Sequence, residues 1–298
     1  MKTMAKSGLV ALTALALVGC ATGGLPTDTV GVISKVVEKR EAIAKTATSL
    51  RKGFSDLTPE EEYFIGRAVA ARILTDYKQA NDPAKTNYIN LVGDYVAKNS
   101  KTPTTFKGYH FMLISSDEVN AFAAPGGFIF VTTGLYAKLA SEEQLAAVLA
   151  HEVAHVSLKH GLSSIKAANL TQAFTILGTE AVKEYSGAQL GELTKAFENS
   201  INDVINSLVV NGYSRSQEYD ADSEALNTAY RAGYNPKGLP EFLKTLSSAK
   251  SANNAGFFKT HPPASDRLKE ADKFIASNKL QGDDDPARQN RFKKFAMK

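Results

Sequence analysis

The stretch Ala150-His151-Glu152-Val153-Ala154-His155-Val156 decides how the rest of the chain is read. Ser141 offers a helix N-cap with Gln144 completing a capping box, and the helical pattern runs to Gly161. On that helix His151 and His155 stand one turn apart, about 40° around the axis, so both imidazoles leave from one face. Two nitrogens placed this way can hold one tetrahedral metal ion. Glu152 projects beside the same face, where its carboxylate can accept a proton from water activated by the metal. Leu145, Ala146, Val148, Leu149, Val153, Ala154, Val156 and Leu158 make the helix apolar almost all round, which predicts burial. Two core histidines could be satisfied by backbone carbonyls. A buried glutamate between them could not stay ionised and unpaired without a large cost, so the metal reading is the stronger one.

Zinc that activates water takes three protein ligands and keeps one position open. Cys20 is the only cysteine, so the ligands must be His, Asp or Glu. The segment Ser216-Gln217-Glu218-Tyr219-Asp220-Ala221-Asp222 supplies two carboxylates four residues apart on one helical face. Glu218 can ligate, and Asp222 can orient a ligand histidine through its far nitrogen. An acidic helix start is ordinarily a solvated face favoured by the dipole; here the missing ligand decides otherwise. Asp220 and Glu224 point elsewhere and read as solvated. His160 lies nine residues after His151, about 180° round the helix, so it cannot join the same metal and reads as a cap or packing residue. His110 reads as a packing residue in a strand. His261, in the rigid loop Thr260-His261-Pro262-Pro263, would alone be a surface histidine.

The N-terminus has its own signature. Lys2 and Lys6 precede an apolar stretch from Leu9 to Val18 and the small residue Gly19, the pattern of a secretory signal too short for a permanent membrane span. Leu17-Val18-Gly19-Cys20 resembles the bacterial lipoprotein box, which makes Cys20 the lipidation site. By the same resemblance Ala21, which is not Asp, favours the outer membrane. The net charge of +4 falls by two once Lys2 and Lys6 are removed, and no long basic run exists, so nothing points to nucleic acid. With 43% hydrophobic and 22% charged residues the chain is ordinary globular material, neither disordered nor multi-spanning.

Residues 21–31 read as a tether and 32–50 as an amphipathic helix. Thr58-Pro59-Glu60-Glu61 starts a helix to about Gln79, and Asp82-Pro83 another to about Asn99. Tyr109–Ile114 and Phe128–Thr133 read as strands, with Asn120–Ala123 a third. Residues 162–212 suggest two helices split near Ser186-Gly187. Further helices follow from about Ser216 to Gly233, over 237–250 and over 264–277. The class is α+β, predominantly helical, with a small antiparallel sheet. The divisions are a signal peptide at 1–19, an anchored tether and helix at 20–57, a catalytic domain at 58–280, and a polar, solvated tail at 281–298.

Together His151-Glu152-Val153-Ala154-His155, Glu218-Tyr219-Asp220-Ala221-Asp222 and Asn120-Ala121-Phe122-Ala123-Ala124-Pro125-Gly126-Gly127 resemble the HtpX and CaaX-prenyl-protease type of zinc metallopeptidase, and most of all its soluble envelope lipoproteins. The resemblance spans about residues 58–275. It implies a compact gluzincin (zincin) fold with one Zn2+ per chain held by His151, His155 and Glu218, and Glu152 as general base. It also implies an edge strand carrying Asn120, Ala121 and Phe122, which would hold protein or peptide substrates by strand addition. His261 matches a histidine that can approach the zinc as regulator or transition-state donor; Arg267 matches an arginine with no assigned role. The membrane spans of HtpX and the prenyl proteases are missing, which counts against lipidated substrates. The end at Lys298 leaves no room for the helical repeats some envelope members carry. The expected function is a zinc metalloendopeptidase of the bacterial envelope, anchored in the outer membrane through Cys20 and facing the periplasm. Two alternatives stay open: a non-catalytic chaperone or assembly lipoprotein with a structural zinc, and a metal-dependent hydrolase of cell-wall amides.

Overall fold

A computed structural model describes residues 57–165, 198–248, 261 and 264–296. Cys20, the signal segment, the tether and the 32–50 pattern lie outside the described residues, as does most of the pair of helices expected over 162–212. Two long helices lead into the sheet. Helix α1 (Pro59–Asp76) opens on the expected capping box: Thr58 Oγ1 accepts from the Glu61 amide at 3.2 Å while the Glu61 carboxylate accepts from the Thr58 amide at 2.8 Å. Helix α2 (Pro83–Lys98) is capped by Asp82, and between the two lies the short strand β1 (Lys78–Gln79).

Strands β2 (His110–Ser115), β3 (Ala121–Ala124) and β4 (Phe128–Thr132) complete a four-stranded sheet in the order β1-β2-β4-β3. The sheet is mixed: β1 with β2 and β3 with β4 are antiparallel, but the central β2–β4 pair is parallel. The expected antiparallel pairing therefore fails in the middle. The chain from Ser115 to Phe128 runs out along the far edge as β3 before returning as β4, and this crossover gives β2 and β4 the same direction.

Side-chain alternation divides the core in two. Phe111, Leu113, Ala121, Ala123, Ile129 and Val131 face a cluster shared with α2 and with helix α3 (Glu142–Ser157). Phe122, Ala124, Ile114 and Phe130 face a second cluster shared with α1 and with Leu208 of a π-helical turn (Asn206–Asn211). Helix α1 is pinned to the turn after β3: a Cβ on Gly66 would stand 1.7 Å from the Pro125 carbonyl oxygen, and Gly126 (φ +72°) approaches the Tyr63 backbone. No other residue type allows that contact.

Helices α4 (Arg215–Arg231) and α5 (Gly238–Ser248) pack against α3, and α6 (Ala264–Asn278) packs on both of them. The expected solvated tail is a correction. Pro286–Ala296 forms a further helix, α7, which buries Phe292 in the core and sets Arg291 on the buried Glu142 carboxylate at 2.7 Å. A polar sequence with two phenylalanines hides an amphipathic helix, because only one narrow stripe of it needs to be apolar.

Candidate active site

Helix α3 delivers the two histidines because Ser141 caps it and its apolar faces seat it inside the core. Gln144 does not close the expected box on Ser141; its side-chain oxygen accepts from the Ala140 amide at 3.0 Å. The His151 and His155 Nε2 atoms stand 3.0 Å apart. Helix α4 crosses α3 and aims Glu218 at both, with carboxylate oxygens 3.5 Å from each Nε2. His261 completes the group, its Nδ1 2.9 Å from either Glu218 oxygen. All four residues are at most 4% exposed, and one donor atom from each lies within 4.8 Å of the others. His261 is thus no surface histidine; it is part of the cluster.

Asp222 stands behind His151, its Oδ1 3.0 Å from Nδ1, the partnership expected from the four-residue spacing. The buried Arg267 fills the place for which the sequence offered no role. Its Nε and Nη2 donate to the two Asp222 oxygens at 2.7 and 2.6 Å, and its Nη1 lies 3.1 Å from Glu218. His160 is brought to the site against expectation: its Nδ1 lies 2.9 Å from His155 Nδ1. Tyr213 lays its ring on His155 at 4.3 Å and 17°. The need of His155 for a partner on its far nitrogen was the one sequence signal for His160, and none pointed to Tyr213. Glu224 is also corrected: it is buried and bonded to Arg231 and Thr228, whereas Asp220 is exposed as expected. His110 lies at the exposed start of β2 against the Phe128 ring.

Electrostatics separates the two helix histidines. Burial and the Arg267 charge oppose protonation of His151, but hydrogen bonds donated by its ring to Asp222 and Glu218 prevail and raise it to about 9. Burial wins at His155 and lowers it to about 3. Burial also lifts the Glu152 carboxyl above its usual range, offset only in part by His151 and His261. It would lift Glu218 too, but His261, Arg267 and the two imidazoles hold that carboxyl well below its usual range.

The residues fit a zinc ion on two counts. Ligand atoms of a tetrahedral site with bonds near 2.1 Å stand about 3.4 Å apart, within the 3.0–3.5 Å spanned by the His151, His155 and Glu218 separations. With both histidines neutral as ligands, ionised Glu152, Glu218 and Asp222 would outnumber the buried Arg267 guanidinium by two charges, and a divalent cation cancels that excess. Ala121 and Phe122 lie in β3, the last strand of the ladder, with Asn120 just before it. Every β3 residue is buried, and the strand packs against α3 and the π-helical turn. Asn120 is tied to β4 through its amide, which donates to Thr132 Oγ1 at 3.1 Å.

The model of peptidase family M48 matches residues 83–275. The chain is similar to the beta-barrel assembly-enhancing protease of Escherichia coli K12, 31% identical over 226 residues, which cover 73% of this chain and 44% of that protein. It is also similar to metalloprotease YcaL of the same organism, 28% identical over 60% of this chain and 65% of the relative. Metalloprotease LoiP, again from that organism, is 25% identical over 86% of this chain and 92% of its own length. The chain thus spans less than half the length of the assembly-enhancing protease it matches.

Proposed function

The chain belongs to peptidase family M48, and from that premise we propose that it is a zinc-dependent metalloendopeptidase of the bacterial cell envelope acting on protein substrates. The observation that carries the reading is the convergence of His151, His155 and Glu218 with the buried Glu152 on the same helix. Zinc held by these three ligands would supply Lewis acidity to a water molecule and to the scissile carbonyl. Glu152, buried on the helix that carries both histidines, would take a proton from water and return it to the leaving amine. Asp222 keeps the His151 proton on Nδ1, and Arg267 keeps both Asp222 and Glu218 ionised. His261, its Nδ1 2.9 Å from both Glu218 oxygens, would serve as a fourth ligand at rest and would withdraw when substrate arrives. The peptide adds as a strand beside β3, where Asn120, Ala121 and Phe122 adjoin the active-site helix.

The four-donor set equally fits a closed, structural zinc in a scaffold protein, and Glu152 separates the two. Glu152→Gln keeps the shape and cannot act as base. It should hold one zinc per chain by metal analysis and digest casein at least a hundredfold more slowly than wild type. Equal digestion by the two proteins would establish the scaffold reading.

The proposed divisions are a leader at 1–19, a lipid-bearing Cys20 with its tether to residue 57, and a catalytic unit that takes in α7. The name of the assembly-enhancing relative supports an outer-membrane setting. Among the described residues no helix is long and apolar enough to cross a membrane, and several acyl chains on Cys20 would anchor the chain firmly. Cys20→Ser should move the protein from the detergent phase to the aqueous phase in a partition experiment, and wild type found wholly in the aqueous phase would rule the anchor out.

A further inference from the structure

The second ligand histidine has an outer partner of its own, at a place a continuous helix could not supply. Five residues along an unbroken helix, His160 would stand about 140° round the axis from His155. Helix α3 stops at Ser157 instead. Lys159 takes the left-handed conformation (φ 57°, ψ 33°), and a new turn begins at His160. That turn is held from two sides. A Cβ on Gly161 would meet the Pro125 ring at 3.3 Å, and Ser163 Oγ accepts from Gln217 Nε2, at the capping box of α4, at 3.1 Å. The result aims the buried His160 Nδ1 at His155 Nδ1, 2.9 Å away, while Tyr213 covers the His155 face.

From this juxtaposition we infer that His160 is the positioning residue of His155, accepting its Nδ1 proton as Asp222 accepts that of His151. The direction of this hydrogen bond decides whether His155 can bind metal. With the His155 proton on Nδ1, Nε2 presents its lone pair toward His151 and Glu218. With the bond reversed, the proton sits on Nε2 and blocks ligation. His160 can accept only if its own proton is on Nε2, so one neutral imidazole selects the tautomer of the other. The arrangement gives the two ligands unlike supports: a carboxylate locked by Arg267 for His151, and a neutral ring for His155. A neutral acceptor adds no further negative charge to a pocket that already holds three carboxylates.

The inference rests on the zinc reading above, and the test separates the two. Zinc dissociation constants are measured by chelator competition on the full chain carrying His160→Asn, His160→Gln or His160→Leu, together with visible spectra of the cobalt-loaded proteins. Asn places an acceptor oxygen where Nδ1 stands, whereas Gln carries its oxygen one bond further and Leu has none. His160→Asn should bind zinc within about threefold of wild type with an unchanged cobalt spectrum. His160→Gln and His160→Leu should bind about 10–100-fold more weakly, with shifted bands. Four proteins with equal affinity, or Asn as weak as Gln, would overturn the role of His160 and leave the zinc site standing. A wild-type chain that takes up no zinc would overturn both.

Discussion

Glu224 shows how much one residue's environment can differ from its sequence context. It belongs to the same acidic stretch as Asp220, yet it is 2% exposed, ion-paired to Lys101 and Arg231 at 2.8 Å each, and bonded to Thr228. Burial alone would raise its carboxyl, but hydrogen bonds from Lys101 and Arg231 outweigh it and hold the group below its ordinary range. A carboxyl depressed in the fold stabilises it at pH values above the unfolded value near 4.3, and that contribution is lost as pH falls through the folded value. Glu224→Gln should therefore cost about 1 kcal/mol at pH 7, a modest figure because both cations are partly exposed. It should also flatten the loss of stability between about pH 5 and 3, read by urea unfolding at several pH values. Identical pH dependence in variant and wild type would contradict this account. Asp222 and Glu218 were legible because a four-residue spacing on a helix is a local fact. Arg267 was not, since its partners lie 45 and 49 residues away and meet it only when α6 packs on α4.

Helices were legible where their ends carry their own chemistry. Thr58 with Glu61, Asp82 with Pro83, and Ser141 each mark a start that needs no tertiary partner. Stops were harder to see: α3 was expected to reach Gly161 and ends at Ser157, because a lysine adopts the left-handed geometry usually left to glycine. Helix α7 was missed outright, its docking resting on Phe292 in the core and Arg291 on Glu142, which Tyr88 and Tyr234 also contact. Phe292→Ala should cost about 3 kcal/mol, whereas Lys293→Ala, on an exposed residue of the same helix, should stay within about 0.5 kcal/mol. Thermal unfolding of both variants reads the difference, and equal melting points would return the segment to a solvated tail.

At the scale of the whole molecule, metal and fold are coupled. The donors come from α3, α4 and residue 261, so a zinc ion binds them together only in the folded chain and adds stability by mass action. With free zinc a thousandfold above its Kd the gain is about 4 kcal/mol, roughly 10 °C in Tm for a domain of this size. A strong chelator should remove that increment from wild type, and Glu218→Gln should lack it from the start. A Tm indifferent to chelator in wild type would mean that the cluster binds no ion. By itself the sequence determined the family, the helix-rich class, the active-site helix and its paired histidines, Glu152, and the Glu218–Asp222 spacing. The active-site helix, its histidine pair, Glu152 and the Glu218–Asp222 spacing depend on residues within a few turns of one another, where helical geometry makes spacing equivalent to position. Only the tertiary structure decided the parallel pair in the sheet, the burial of Glu224, the docking of α7, the place of His261 beside Glu218, and the partners given to Asp222 by Arg267 and to His155 by His160. Those depend on how separate elements pack or on a single backbone angle at Lys159, and neither is encoded in local periodicity.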